Sequence, residues 1–312
     1  MLSEMETGEK NPLISVGVIS YNSSEFIIDL LESIKAQTYK NIELIVADDK
    51  SSDNTVAICK DWISHNKDRF VRTEVIVPEH NTGTAGNYNR ALFASKGEWI
   101  KFIDADDIML PNCIEDNVDY ISRTPEAKVV FSDILYFSDA KKMSRRHFVS
   151  EKEKKVFDLD AHGQLMVLLR KNHMPASSMF MQTKLLKENP YQEEYKLLED
   201  APKWIDLTRK GYRFYYFDKV TTGYRECASV TRGKTVFYSP LYVECYYKYF
   251  WNEKIDLIKQ FKHEEALNYE RKQLLKMELA IALFRNHRNA LNSLLFKIVC
   301  VYIKVFVRYK LY

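Results

Sequence analysis

The stretch Trp99-Ile100-Lys101-Phe102-Ile103-Asp104-Ala105-Asp106-Asp107 decides how this chain is read, because an apolar run stops in it abruptly at three carboxylates. Trp99, Ile100, Phe102 and Ile103 have the bulk and β-propensity of a buried strand. A strand that ends in Asp-Ala-Asp-Asp concentrates like charge at its carboxyl end, which is costly unless water or a cation neutralises it. In an open α/β sheet that end is also where ligands bind. One reading is a solvated turn, with aspartate as a helix cap before Leu110-Pro111. The other is a site for Mg²⁺ or Mn²⁺ carrying a diphosphate, since hard cations take carboxylate oxygens and leave positions open to phosphate.

Working outward toward the N-terminus, the same grammar repeats. Leu13 to Ile19 is an apolar strand that leaves into Ser20-Tyr21-Asn22, with Ser23 or Ser24 placed to cap a helix carrying Phe26, Ile27, Leu30, Leu31 and Ile34 at helical spacing. Ile42 to Ala47 is a second strand, stopping at Asp48-Asp49 before Lys50-Ser-Ser-Asp53, and Thr55 to about Ser64 continues as a helix. Arg72 to Pro78 reads as a third strand, residues 79–86 as a turn, and Asn87 to Ser95 as a short helix. Strands alternating with helices predict a mainly parallel sheet with helices on both faces. Tyr21, Asp49 and Asp104 to Asp107 then converge on one edge of it. Tyr21 offers an aromatic face for a pyrimidine and Asp49 an acceptor for an imide N–H; the competing readings are a packing aromatic and a turn cap. Neither G-x-G-x-x-G nor G-x-x-x-x-G-K-[ST] occurs, so the phosphates would be held mainly by a metal.

Bulk properties narrow the class. The chain has 312 residues, 46% hydrophobic and 29% charged, ordinary values for a water-soluble globular protein. A net charge of +3 with no basic stripe beside stacking aromatics predicts no nucleic-acid partner. Five scattered cysteines without a C-x-x-C pair fit reduced thiols in a cytoplasmic setting, not a zinc site or disulfide frame. The polar, acidic opening is unlike a signal peptide, and no apolar run of ~18 residues predicts a membrane span.

Val18-Ile-Ser20-Tyr21-Asn22, Ala47-Asp-Asp49-Lys-Ser-Ser-Asp53, Asn81-Thr-Gly83 with Asn89, and Asp104-Ala105-Asp106-Asp107 together resemble the motifs of a family 2 glycosyltransferase with the GT-A fold, in order and at family spacing across roughly residues 12–120. The resemblance implies an α/β, Rossmann-like, mainly parallel sheet flanked by helices. It implies that Tyr21 and Asp49 hold the base of a uridine diphosphate sugar, that Ser20 and Asn22 belong to the same nucleotide-sugar site, and that Asn81 and Asn89 line its nucleotide side. Asp104 and Ala105 would meet ribose or donor sugar, and Asp106 the divalent cation, Mn²⁺ or Mg²⁺. Tyr88 stands where the family often has arginine.

The resemblance extends to the acceptor side. Ala127 to Phe137 is strand-like after a helix over about 113–122, and the charged segment from Ala140 to Lys155 reads as a solvated hairpin or, less simply, as contact with an anionic acceptor. Leu197-Leu-Glu199-Asp200-Ala-Pro-Lys-Trp204 opens a helix running to Lys210-Gly211. Acidic residues there complement a helix N-terminus, but the family has a Glu-Asp pair at this place whose aspartate is the catalytic base, which assigns Asp200 as base and Glu199 as its acceptor-binding or orienting neighbour. Inverting transfer to a hydroxyl needs one carboxylate to take the proton, and no protein nucleophile. Tyr212 to Phe217 is an aromatic strand, and Tyr224-Arg225 with Ser229, Thr231 and Arg232 resembles the family's closing loop, Cys227 standing where members often carry histidine. Arg225 or Arg232 meets the diphosphate or forms a structural salt bridge.

The domain expected is 1–236, with a nucleotide-binding half over about 12–120 and an acceptor half over about 121–236; residues 237–312 form a helical extension. In Leu291 to Tyr312, Lys297, Lys304 and Arg308 share one stripe of a helix otherwise covered by Leu, Ile, Val and Phe, as in an interfacial helix on an anionic bilayer. The competing readings are a tail packed on the domain, a homodimer contact, and a strand over 296–307. By resemblance the function is inverting transfer of a hexose or N-acetylhexosamine to a lipid-linked saccharide acceptor in bacterial surface polysaccharide synthesis, peripheral to the cytoplasmic face of the inner membrane. The alternatives are a non-catalytic sugar-nucleotide-binding protein of the same fold and a nucleotidyltransferase.

Overall fold

In the computed structural model, which describes residues 11–138, 143–147, 151–226 and 235–306, the β-branched runs form strands β1 (Ile14–Ser20), β2 (Ile42–Asp48), β3 (Arg72–Ile76) and β4 (Trp99–Asp104). Between them lie α1 (Ile27–Lys35), α2 (Thr55–Asn66) and α3 (Thr84–Ala94). These four strands are all parallel, and the register sets Ser20 beside Asp48 and Ile19 beside Asp104, so the polar strand ends lie level. β5 (Ile108–Met109), α4 (Cys113–Arg123), β6 (Val129–Phe137), β7 (Met143–Arg146), α5 (Glu151–Lys154), α6 (Ala161–Arg170), β8 (Phe180–Gln182), α7 (Thr183–Glu188), α8 (Asp200–Arg209) and β9 (Phe214–Arg225) come next along the chain. The sheet order is β3-β2-β1-β4-β8-β6-β9-β5, with β7 on β6. β8 runs antiparallel to both β4 and β6, β9 is parallel to β6, and β5 is antiparallel to β9. The expected parallel sheet therefore holds in the first half and becomes mixed in the second.

Local boundaries differ where tertiary bonds intervene. The helix after the first strand begins at Ile27 without a serine side-chain cap. Ser23 and Ser24 are engaged elsewhere, their backbone N–H groups donating to Thr55 Oγ1 (2.8 Å) and Asp53 Oδ2 (3.1 Å). The third strand stops at Ile76, short of Pro78, and α3 starts at Thr84 instead of Asn87. Gly83 makes the turn into α3 at φ +84°, and a Cβ there would lie 2.7 Å from Lys196 Cβ, so glycine is required both by conformation and by space. The aromatic strand expected to end at Phe217 continues to Arg225. Where described, the charged 140–155 segment is β7, antiparallel to β6, and then the short helix α5: Arg146 Nε pairs with buried Asp133 at 2.6 Å and Lys154 Nζ with Asp218 at 2.6 Å, which commits both cations to structure.

Two apolar clusters fill the sheet's faces, one under α1, α2 and α4, the other under α3, α6, α7 and α8. The C-terminal elements α9 (Pro240–Tyr249), a π-helical turn at Phe250–Lys254, α10 (Ile255–Gln260) and α11 (Glu264–Phe284) join that second cluster, with Tyr249, Phe250, Ile258 and Leu274 buried in it alongside Trp204 and Phe131. The extension is thus part of the core for most of its length. Its middle is fastened by a buried ion pair, Lys254 Nζ to Glu270 Oε1 at 2.7 Å, with the Tyr246 hydroxyl donating to Glu270 Oε2 at 2.5 Å. α12 (Ala290–Phe306) closes the described chain as a helix, which decides against a strand there.

Candidate active site

The level strand ends build the first wall. Asp49 N donates to Ser20 O (2.9 Å), Ala105 N to Ile19 O (3.0 Å), and Asn87 Nδ2 reaches Ala47 O (2.9 Å), which ties the exits of β1, β2 and β4 together. Ser20 Oγ donates to buried Asp48 (2.9 Å). Asn22 sits at φ +50° with its Oδ1 accepting from Ser52 N (2.8 Å), and Tyr21 beside it is 53% exposed. The Asp49 carboxylate accepts from Thr82 N (2.9 Å), Thr82 Oγ1 (2.7 Å) and Gly83 N (2.7 Å), and pairs with Arg90 at 3.4 Å. Asn81 Nδ2 donates to the Asp49 carbonyl (2.9 Å). Asp49 therefore shapes the 81–83 loop, and Arg90 supplies the positive charge beside it. Asn89 stands apart from this group: it is buried, with Nδ2 on Tyr191 O (2.9 Å) and Glu193 (2.8 Å) and Oδ1 accepting from Tyr191 N (2.8 Å), so it fastens α3 to the 191–193 segment.

The acidic turn forms the floor. Asp104, at the end of β4, accepts from the Tyr88 hydroxyl at 3.2 Å, so the tyrosine at the place of the family's arginine still meets the motif. Ala105 is buried, Asp106 half-buried, and Asp107 buried with Oδ1 accepting from Arg225 N (2.9 Å). Arg225 Nε donates to Asp106 O (2.7 Å), and its guanidinium lies between the rings of Phe26 and Phe137 and pairs with Asp29 at 3.2 Å. It clasps the turn from behind, which is the structural salt-bridge reading. Cys227, Ser229, Thr231 and Arg232 lie outside the described residues. Lys101, wholly buried in β4, donates to Phe102 O (3.2 Å) and to Ser177 O, and burial pushes its ammonium below the ordinary lysine range.

Across from the floor, α8 begins at Glu199-Asp200. Asp200 accepts from Asn172 Nδ2 (2.6 Å) and from Ala201 N (2.6 Å), two donors that orient its carboxylate. Asp104 lies within electrostatic reach of Asp106 and Asp200: burial first and then Asp106 raise Asp104 to about 7, with Asp200 adding to it. Burial first, then Asp200 and Asp104, raise Glu199 to about 8. Burial also raises Asp200, against the pull of Ala201 N and Asn172. Acids from the two halves of the domain thus act on one another's protonation, the usual electrostatic mark of a functional site. Asn172, Arg90 and the buried Tyr191, whose hydroxyl feels Glu199 and Asp200, carried no motif signal in the sequence.

Glu199 gives a stability prediction. Its native value lies above the ordinary 4.5, so its contribution to stability is fully present below the ordinary value and is lost as pH rises toward 8. In the ligand-free protein, Glu199→Gln should raise stability above pH 8 by on the order of 1–2 kcal/mol and change little near pH 5. Urea unfolding at the two pH values measures this; equal shifts at both would show that Glu199 is not held protonated.

The acids also bear on a cation. Among the described residues no three His, Cys, Asp or Glu side chains converge as a metal cage. The donor set fits instead an ion held by one or two carboxylates plus phosphate and water, the habit of Mg²⁺ and Mn²⁺ at diphosphates. Half-buried Asp106 offers one such carboxylate, and the neighbouring acids, which add to burial in raising Asp104 and Glu199, are charge that a cation would relieve.

Comparison with known proteins agrees with this architecture. The family model for glycosyl transferase family 2 matches residues 15–188. The Escherichia coli protein WfaP, named as a UDP-Glc:alpha-D-GlcNAc-diphosphoundecaprenol beta-1,3-glucosyltransferase, is 29% identical over 225 residues, covering 71% of this chain and 81% of its own. Among solved structures, S. aureus TarS 1-349 in complex with UDP-GlcNAc superposes with a TM-score of 0.55 at 22% identity, over 75% of this chain and 64% of that one. The mannosyltransferase PcManGT from Pyrobaculum calidifontis, in complex with GDP-Man and Mn²⁺, gives 0.57 at 16% identity over 95% and 81%. The fold is the GT-A fold of these enzymes, and the chain belongs to glycosyl transferase family 2.

Proposed function

We propose that this protein is an inverting, metal-dependent glycosyltransferase that moves a hexose or N-acetylhexosamine from a UDP-sugar to a hydroxyl of a lipid-linked saccharide, at the cytoplasmic face of the inner membrane, in surface polysaccharide synthesis. The observation that carries this is the end of β4 at Asp104-Ala105-Asp106, where burial and then Asp106 raise Asp104, together with Glu199 at the start of α8, which burial and then Asp200 and Asp104 raise. The diphosphoundecaprenol acceptor in the name of WfaP supports the lipid link. Among the described residues no helix is long and apolar enough to cross a membrane.

In this reading Tyr21 stacks on the base at the rim, the Asp49-organised loop borders it, and Asp104 binds ribose or donor sugar. Asp106 would hold Mn²⁺ or Mg²⁺, which supplies positive charge to the departing diphosphate. Asp200, oriented by Asn172 and Ala201 N, takes the acceptor hydroxyl's proton as that oxygen attacks the anomeric carbon from the side opposite the diphosphate. Burial, which raises its proton affinity, makes it a stronger base than a solvated aspartate. Glu199 beside it meets the acceptor or orients the loop.

Calorimetric titration with a panel of nucleotide sugars, in Mn²⁺, in Mg²⁺ and in chelator, tests the reading. One UDP-sugar should bind best and lose affinity in chelator, and Asp106→Asn should abolish that metal dependence with at least about a tenfold loss. Equal binding of every donor with and without metal would overturn it.

A further inference from the structure

α12 leaves one whole face uncovered. Leu291, Leu294, Leu295, Ile298, Val301 and Val305 are 42–64% exposed, and their spacing of three and four residues puts them on a single stripe. The opposite face is the one used for packing: Phe296 meets Phe237 at 4.5 Å and Phe284 at 5.9 Å, and Ile303 is buried. Single exposed apolar side chains need no explanation, whereas a contiguous stripe of this kind marks an interaction surface.

Charge identifies the occupant. Lys297 and Lys304, seven residues apart and both exposed, lie along one flank of the stripe. On that flank Lys304 shares a groove with Arg170, Lys272 and Lys276 from α6 and α11. Within it Arg170 pairs with Glu265 at 3.0 Å, and Lys272 Nζ donates to the Lys304 carbonyl at 3.2 Å. α12 contains no acidic residue from Ala290 to Phe306. A second copy laid stripe on stripe would offer these lysines only like charge, whereas an anionic bilayer offers phosphates beside acyl chains. Lys297 and Lys304 beside a broad apolar stripe suit a helix lying in the interface, its basic flank toward the head groups.

We infer that the stripe of α12 and the lysine-lined groove beside it form a docking surface for an anionic phospholipid bilayer. The apolar side chains enter the acyl boundary, and Lys297, Lys304, Lys272 and Lys276 face the phosphates. The surface also has an address in the fold: α6 ends at Arg170, in the groove, and two residues later Asn172 donates to Asp200. If the proposed function holds, docking sets the base-bearing side of the pocket near the membrane, where a lipid-linked acceptor resides. That orientation rests on the functional reading; the docking itself does not.

Co-sedimentation of the full chain with vesicles, without donor, acceptor or metal, tests docking separately from catalysis. Vesicles enriched in phosphatidylglycerol should bind it and pure phosphatidylcholine vesicles should bind it far less, with binding falling as salt rises. Lys297→Gln with Lys304→Gln should weaken binding by about tenfold or more. Leu294→Ser with Ile298→Ser and Val301→Ser should abolish it without lowering the unfolding midpoint, because these side chains are already exposed. Absence of vesicle binding by the unaltered protein, or equal binding by the variants, would overturn the inference. So would a dimer in light scattering that the triple serine variant turns into monomer, since the stripe would then be covered by a second copy.

Discussion

Asp200→Asn is expected to lower the turnover of sugar transfer by about 10²–10⁴-fold, the usual contribution of a positioned general base. Donor affinity should stay unchanged, because in the proposed mechanism Asp200 serves the acceptor while Ser20, Tyr21, Asp49 and Asn81 serve the nucleotide. Asparagine keeps the size of the side chain and one acceptor oxygen for Asn172 or Ala201 N, so the loop has no cause to collapse. What is lost is the ability to take a proton. The measurement is kcat and KM for donor and acceptor in both proteins, with the pH profile. Since burial raises Asp200 in the native protein, wild-type turnover should fall as pH drops through that raised value and the base becomes protonated. The variant should lack that limb. Turnover within a few-fold of wild type would sink the assignment of Asp200, and with it the inverting mechanism as drawn.

Glu270→Ala should cost about 3–5 kcal/mol of folding stability, the range for removing one partner of a buried ion pair. Glu270 is fully buried and Lys254 is 7% exposed, so truncation strands an ammonium among Tyr249, Phe250 and Ile258 and leaves the Tyr246 hydroxyl without its acceptor. The loss is therefore mostly the penalty of the uncompensated charge, which a double replacement avoids. Lys254→Met combined with Glu270→Leu should recover most of the stability, since desolvating both ions offsets much of what their attraction returns. Urea denaturation of the single and double variants distinguishes this from a simple packing defect, in which the double variant would be the worse of the two. Because the helices around this pair share the core cluster that holds Trp204 on α8, the single variant should also reduce transfer at temperatures well below its unfolding.

The likeness between sequence reading and structure is greatest where the signal is local. Alternation of β-branched runs with amphipathic spacing placed β1, β2, β4 and their helices, and carboxylates at strand ends marked the ligand edge, because a parallel register carries all those ends to one side. Ser23 and Ser24 had the chemistry of caps, yet the Ser23 hydroxyl donates to Tyr21 O at 3.2 Å and the helix begins beyond both, at Ile27. Arg146 and Arg225 had the charge to greet a diphosphate or an acidic acceptor, and both were drawn to acids brought near only by folding.

The α/β class, the family and the acidic turn at residues 104–107 were therefore legible in the residues alone, because they depend on periodicity and on motifs within a few residues. It took the folded chain to show that Asp200 adds to the raising of Asp104, that Asn172 donates to Asp200, that Arg90 stands by Asp49, that residues 290–306 are helical, and which face of α12 is left open. Those facts depend on distances between segments far apart in the chain, and on burial, which sets proton affinity and the worth of a charge but leaves no local pattern in the sequence.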